Sequence, residues 1–173
     1  TVWSLLVDPS NGNVVYAGTN GHGVYKSIDG GASFARIGSP RTGIVFALAK
    51  SGDRLYAATD VGGVSVSKDG GRTWSPVLFV DENTGGADLA SDPENPAIVY
   101  ASLWQARNYP WLSYFKPMVG PGSAVYKSTD GGRTWARLSG GGWPSTPIGR
   151  VGLAASSGGR VWALVDAAEE PAG

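Results

Sequence analysis

The chain has 173 residues, with 27 glycines, 11 prolines, 7 tryptophans and no cysteine, and its 14 basic and 14 acidic side chains cancel. Without a cluster of Lys or Arg there is no electrostatic footprint for nucleic acid or a membrane surface. Without cysteine there is no disulfide framework and no thiolate chemistry, and one histidine cannot build a zinc site, so no metal and no cofactor is expected. The longest apolar stretch, residues 43–49, is far too short to span a bilayer. The first residue is Thr1 rather than Met, and no signal peptide is visible; this reads as a processing or fragment boundary.

The chain opens on an apolar run, residues 5–7, then the turn Asp8-Pro-Ser-Asn-Gly, an alternating run over 14–19 and a short run over 23–27. The octet Ser27-Ile-Asp29-Gly-Gly31-Ala-Ser-Phe34 follows and leads into another run. The order then repeats. Apolar runs at 45–49 and 54–59 precede the octet Ser67-Lys-Asp69-Gly-Gly71-Arg-Thr-Trp74, and runs at 87–90 and 98–103 precede Ser128-Thr-Asp130-Gly-Gly132-Arg-Thr-Trp135. Runs at 151–155 and 160–165 begin a fourth copy. Gly, Pro, Asn and Asp fill the gaps and form turns. No stretch has a 3.6-residue apolar period, so helices are not expected.

Each copy reads as four antiparallel strands, A to D, which is one β-propeller blade. The fold class is all-β, a partial propeller of about three and a half blades. The blades fall at about 1–40, 41–80 and 81–142, with a half blade at 143–166 and a tail at 167–173. The octet suits a tight C–D hairpin: Ser and Asp accept from local amides, the glycines take positive φ, and the last aromatic folds beneath the turn. Asp29, Asp69 and Asp130 are therefore read as structural.

The octets resemble the Asp-box, or BNR, repeats of bacterial sialidases, sortilin-type ectodomains and family 74 xyloglucanases. The stretch Ala101-Ser-Leu-Trp-Gln-Ala-Arg107 with Pro110-Trp111, Gly120-Pro-Gly-Ser123 and Gly149-Arg-Val-Gly152 is similar to large bacterial repeat proteins labelled glycosyl hydrolases. The resemblance implies a secreted protein, extracellular or periplasmic. It fixes the fold better than the function, because function lies in sites placed on folds.

In such a blade the A–B and C–D turns share one face, and the B–C and D–A connections share the other. The second, loop-bearing face collects Asp60, Asp81, Glu82, His22, Arg41 and Arg107, with Asp88 as a further acidic candidate for it. It also collects an insertion after residue 103 rich in aromatics: Trp104, Tyr109, Trp111, Tyr114 and Phe115, with Trp143 on the next connection. Trp104, Tyr109, Trp111, Tyr114 and Trp143 are candidates for stacking on a sugar or gripping a protein. Burial of the rings against one another is the alternative. Asp60, in Thr59-Asp-Val-Gly-Gly63, is similar to the motif that carries one catalytic carboxylate in the family 74 enzymes; the second carboxylate comes there from a distant propeller half. A glycosidase needs two carboxylates, and the stretch containing Asp81 and Glu82 reads as a solvated turn. A sialidase reading lacks its Arg-Ile-Pro start.

Two functions stay open: a binding scaffold for glycan or protein, or part of a glycoside hydrolase using Asp60. Three and a half blades also leave open edges. Either the remainder of a longer chain or a second chain completes the ring, and the longer chain is preferred.

Overall fold

A computed structural model describes residues 1–41, 43–106, 119–144 and 146–167. Fourteen strands and, among the described residues, no helix make four antiparallel sheets in chain order. The first is β1 (Val2–Asp8), β2 (Asn11–Thr19), β3 (Val24–Ser27) and β4 (Ala35–Gly38). The second is β5 (Val45–Ser51), β6 (Arg54–Thr59), β7 (Gly63–Ser67) and β8 (Ser75–Leu78). The third is β9 (Thr84–Ser91), β10 (Val99–Gln105), β11 (Ala124–Ser128) and β12 (Ala136–Arg137). The fourth sheet holds β13 (Ile148–Ser156) and β14 (Arg160–Ala167). Each sheet is an uncrossed meander, the all-β partial propeller expected from the repeat.

The first strands β1, β5, β9 and β13 pack side by side in succession, which places them around the propeller axis. Their neighbourhood is dense in small residues. A Cβ on Gly18 would lie 2.7 Å from Val45, and one on Gly86 2.8 Å from the Ala58 Cβ. Serine hydroxyls fasten neighbouring sheets: Ser4 donates to the Val45 carbonyl, Ser91 to Lys50 and Ser102 to Val151. Three apolar clusters fill the gaps between sheets. Tyr16, Val24, Leu48 and Leu55 with Trp74 join the first two; Tyr56, Val66, Leu89 and Ala101 with Trp135 join the next two; Val125, Ile148 and Val151 join the last pair.

The Asp-box hairpins obey one hydrogen-bond plan. In the second, the Ser67 hydroxyl donates to Asp69 at 2.7 Å and accepts the Gly71 amide at 2.7 Å. Asp69 also accepts the Arg72 and Thr73 amides and the Thr73 hydroxyl. Asp130 repeats every contact with Ser128, Arg133 and Thr134, and Asp29 takes the Ser27 hydroxyl with the Ser33 amide and hydroxyl. The eighth residue differs between copies. Trp74 and Trp135 tuck under their hairpins and donate to the Gly71 and Gly132 carbonyls. Phe34 remains 42% exposed, because each indole packs against the preceding sheet and nothing covers the first.

Candidate functional site

The backbone sorts the turns as expected. On one face, Gly30 and Gly131 of the boxes donate to Asn13 and Ala97 beside the A–B turns. On the other, Asn20 after β2 bridges Ile44, the Gly21 amide donates to the Gly43 carbonyl, and the Asp60 amide donates to Ile44. This second face gathers the B–C turns and the inter-sheet connections, and with them the described candidates Asp60, Asp81, Glu82, His22, Arg41 and Trp143.

The box carboxylates hold only local donors, which marks them as hairpin locks. Hydrogen bonds from Ser27 and Ser33 draw Asp29 down to about 2. Thr73, foremost, and Ser67 hold Asp69 well below the usual carboxylate range, and Thr134 does the same for Asp130. These groups stay ionised, which suits an acceptor and not a general acid.

Asp60 sits at the end of β6, partly buried, with one oxygen accepting the Ile44 amide at 2.7 Å. Its own amide returns to the Ile44 carbonyl, so the pair clamps the connection entering β5. Asp88 makes a different clamp, between sheets: from β9 of the third sheet it takes the Leu153 amide of β13 in the fourth at 2.8 Å. That second carboxylate clamp lies on a central strand, where sequence pattern alone signals only alternation. His22 is held by a contact of its Nδ1 with the Asn20 carbonyl at 2.8 Å, and Arg41 lies over Gly62.

Of the aromatic candidates, Tyr109, Trp111 and Tyr114 lie outside the described residues. Trp104 continues β10 beyond Leu103 and is half-buried. Trp143 packs partly on the cluster of Val125, Ile148 and Val151. Its remaining surface, with Pro121, Arg137, Ser139, Thr146 and Pro147, lines a cleft of about 460 Å³ between the third sheet and the connection to the fourth. Arg137 leans across this cleft toward the Pro121 carbonyl at 3.4 Å.

With sheets, boxes and loop face in place, comparison with known proteins adds the relationship. A family profile described as BNR/Asp-box repeat matches residues 65–76 and 126–137, the second and third hairpins. The chain thus carries BNR/Asp-box repeats on its partial propeller. A xyloglucanase of Hypocrea jecorina (strain QM6a) is 27% identical over 137 residues, covering 79% of this chain and 13% of its own length. The structure of a GH74 enzyme from Niastella koreensis superposes with a TM-score of 0.66 at 21% identity, over 85% of this chain and 22% of that one. The GH74 xyloglucanase of Xanthomonas campestris gives 0.60 at 22% identity, over 86% and 24%. This Asp-box propeller is thus related to family 74 glycoside hydrolases and spans less than a quarter of each relative's chain. No helix of the described residues is long and apolar enough to cross a membrane.

Two features of the chain escape sequence reading: the Asp60 and Asp88 clamps and a bulge in every inner strand. They depend on contacts across or between sheets and on register, and neither leaves a local motif.

Proposed function

We propose that this chain is a carbohydrate-binding part of an extracellular propeller, gripping a polysaccharide on the loop face. The observation that carries the reading is the cleft beside Trp143: an indole held by the core and ringed by Arg137, Ser139 and Thr146. An aromatic wall takes the apolar face of a pyranose, and guanidinium and hydroxyl groups take its oxygens. Similarity to a xyloglucanase supports a glycan over a protein as ligand. The insertion aromatics Tyr109, Trp111 and Tyr114 are further candidates for the same ligand in this proposal. Titration calorimetry with xyloglucan oligosaccharides tests it, using Trp143→Leu to keep the packing volume. Binding that is lost in the variant supports the cleft; unchanged binding, or binding only to proteins, overturns it.

A second reading has one specific support. Asp60 stands on the loop face with its Oδ1 committed to Ile44, in a chain similar to a xyloglucanase. Here it acts as one carboxylate of a glycoside hydrolase whose second comes from elsewhere in the ring. Asp60→Asn in the complete enzyme discriminates. Abolished turnover with retained binding favours catalysis, and retained turnover assigns Asp60 to the clamp alone.

The missing part of the ring is the remaining partner. Leu5 is 67% exposed, whereas Leu48 and Leu89, at the same register in the second and third sheets, are 8% and 7% exposed. This favours a further blade against the first sheet, supplied by a longer chain or a second one.

A further inference from the structure

Every inner strand breaks register near its start. The pairing skips Trp3 in β1, Phe46 in β5, Ala87 in β9 and the pair Gly149–Arg150 in β13. A bulge inserts a residue, bends the strand and re-aims its side chain. Here the re-aimed side chains meet. Trp3 and Phe46 stack edge to face with centroids 5.6 Å apart and planes at 89°. The Arg150 guanidinium lies 5.3 Å from the Phe46 centroid.

That last contact crosses a whole blade, since Phe46 belongs to the second sheet and Arg150 to the fourth. It is possible because the intervening β9 offers only Gly85, Gly86 and Ala87 at this level. The three side chains therefore share one space at the propeller axis, on the loop face where the inner strands begin. None of them lines the cleft beside Trp143.

Charge distinguishes this place. Arg150 is exposed, and no carboxylate pairs with it among the described residues. Asp166 stands opposite the bulge on β14 without an ion pair to Arg150, and both oxygens of Asp88 accept amides, from Leu89 and Leu153. Trp3, on the other side of the Phe46 contact, is 49% exposed. An aromatic surface next to an uncompensated guanidinium suits a ligand with an apolar ring face and a carboxylate on its edge.

We propose that Trp3, Phe46 and Arg150 form an axial subsite for a carboxylate-bearing sugar of the uronate class. Trp3 stacks on the ring, Arg150 takes the carboxylate, and Phe46 holds both in place. The subsite goes beyond the cleft assigned above and stands independently of it.

The test is calorimetric titration of the chain with hexagalacturonate, with a neutral xyloglucan oligosaccharide and an oligoglutamate as comparison arms. Hexagalacturonate should bind at low salt and weaken as salt is added. Arg150→Met should lower that affinity about ten-fold or more, Arg150→Lys less, since lysine keeps the charge but not the fork. Trp3→Ala should also weaken it, while Trp143→Leu should leave it unchanged. All these side chains are at least partly exposed, so an unchanged unfolding midpoint confirms a folded variant. Three results would overturn the proposal: hexagalacturonate binding that is absent or indifferent to Arg150→Met; oligoglutamate binding equally well with Trp3→Ala silent; or loss of hexagalacturonate binding in Trp143→Leu. The last would move the ligand to the cleft, whereas failure of xyloglucan binding alone would touch only the earlier proposal.

Discussion

The junction between the second and third sheets turns on one carbonyl. Gly131, the first glycine of the third Asp-box, accepts the Tyr56 hydroxyl at 3.0 Å and an Arg54 Nη at 3.1 Å. Tyr56 is fully buried, and burial pushes its phenol pKa up, so it remains a donor through neutral pH. Removing either donor leaves the carbonyl with the other, so Tyr56→Phe and Arg54→Met should each cost about 1 kcal/mol, the net worth of one hydrogen bond. Removing both strands a buried acceptor, which adds a desolvation penalty of about 1–3 kcal/mol. The double variant should therefore be less stable than the sum of the singles, with a coupling of about 1–2 kcal/mol. Urea unfolding followed by tryptophan fluorescence measures this, provided the m-value is the same in all four proteins. A strictly additive double variant would refute the shared-acceptor reasoning, and a neutral Tyr56→Phe would remove its premise.

Acid should loosen the hairpins. Asp29, Asp69 and Asp130 have folded pKa values below the ordinary carboxylate range, Asp29 at about 2. Their stabilisation is complete above the unfolded pKa of about 3.9 and is lost as pH falls toward the folded values. Urea midpoints should decline below about pH 4, and Asp69→Asn should flatten the decline; an identical slope would count against the assignment. Adjacent glycines should respond unequally. Gly70, at φ 71° with open space around it, should tolerate Ala at a cost of about 1 kcal/mol. Gly71, at φ 95° with a Cβ falling 2.4 Å from Ile37 of the preceding sheet, should lose about 2–4 kcal/mol, and equal midpoints would contradict the contact. Leu48→Ala should cost about 2–4 kcal/mol but Leu5→Ala, at the same register of the first sheet, less than about 1, measured by the same unfolding curves.

The boxes were legible because each is closed within eight residues: Ser, Asp and the glycines bond one another, so composition and spacing carry the whole device. Strand order followed from the same repeat. Phe34 shows where local reading ends. Its octet predicts a buried aromatic, yet the burial comes from a neighbouring sheet that the octet does not encode. Trp143 was legible as an aromatic on a connection, but its packing against Val125 and Ile148, which orients the indole, depends on residues far from it. The axial group of Trp3, Phe46 and Arg150 was hidden for another reason: a period of two cannot reveal the skipped residue that turns each of them inward.

The serine fastenings and apolar clusters join only consecutive sheets, so the molecule behaves as a short one-dimensional array. In the 173-residue chain by itself, without the further blade proposed against the first sheet, the second and third sheets are each gripped from both sides. The first is gripped on one side, and the fourth has two strands among the described residues. Amide exchange should therefore be slowest in β6 and β10 and quicken toward both ends, with β1–β4 and β13–β14 opening as separate units before the middle yields. The energetic keystone of this chain is its interior pair of blades, while the axial residues come mostly from sheets that breathe.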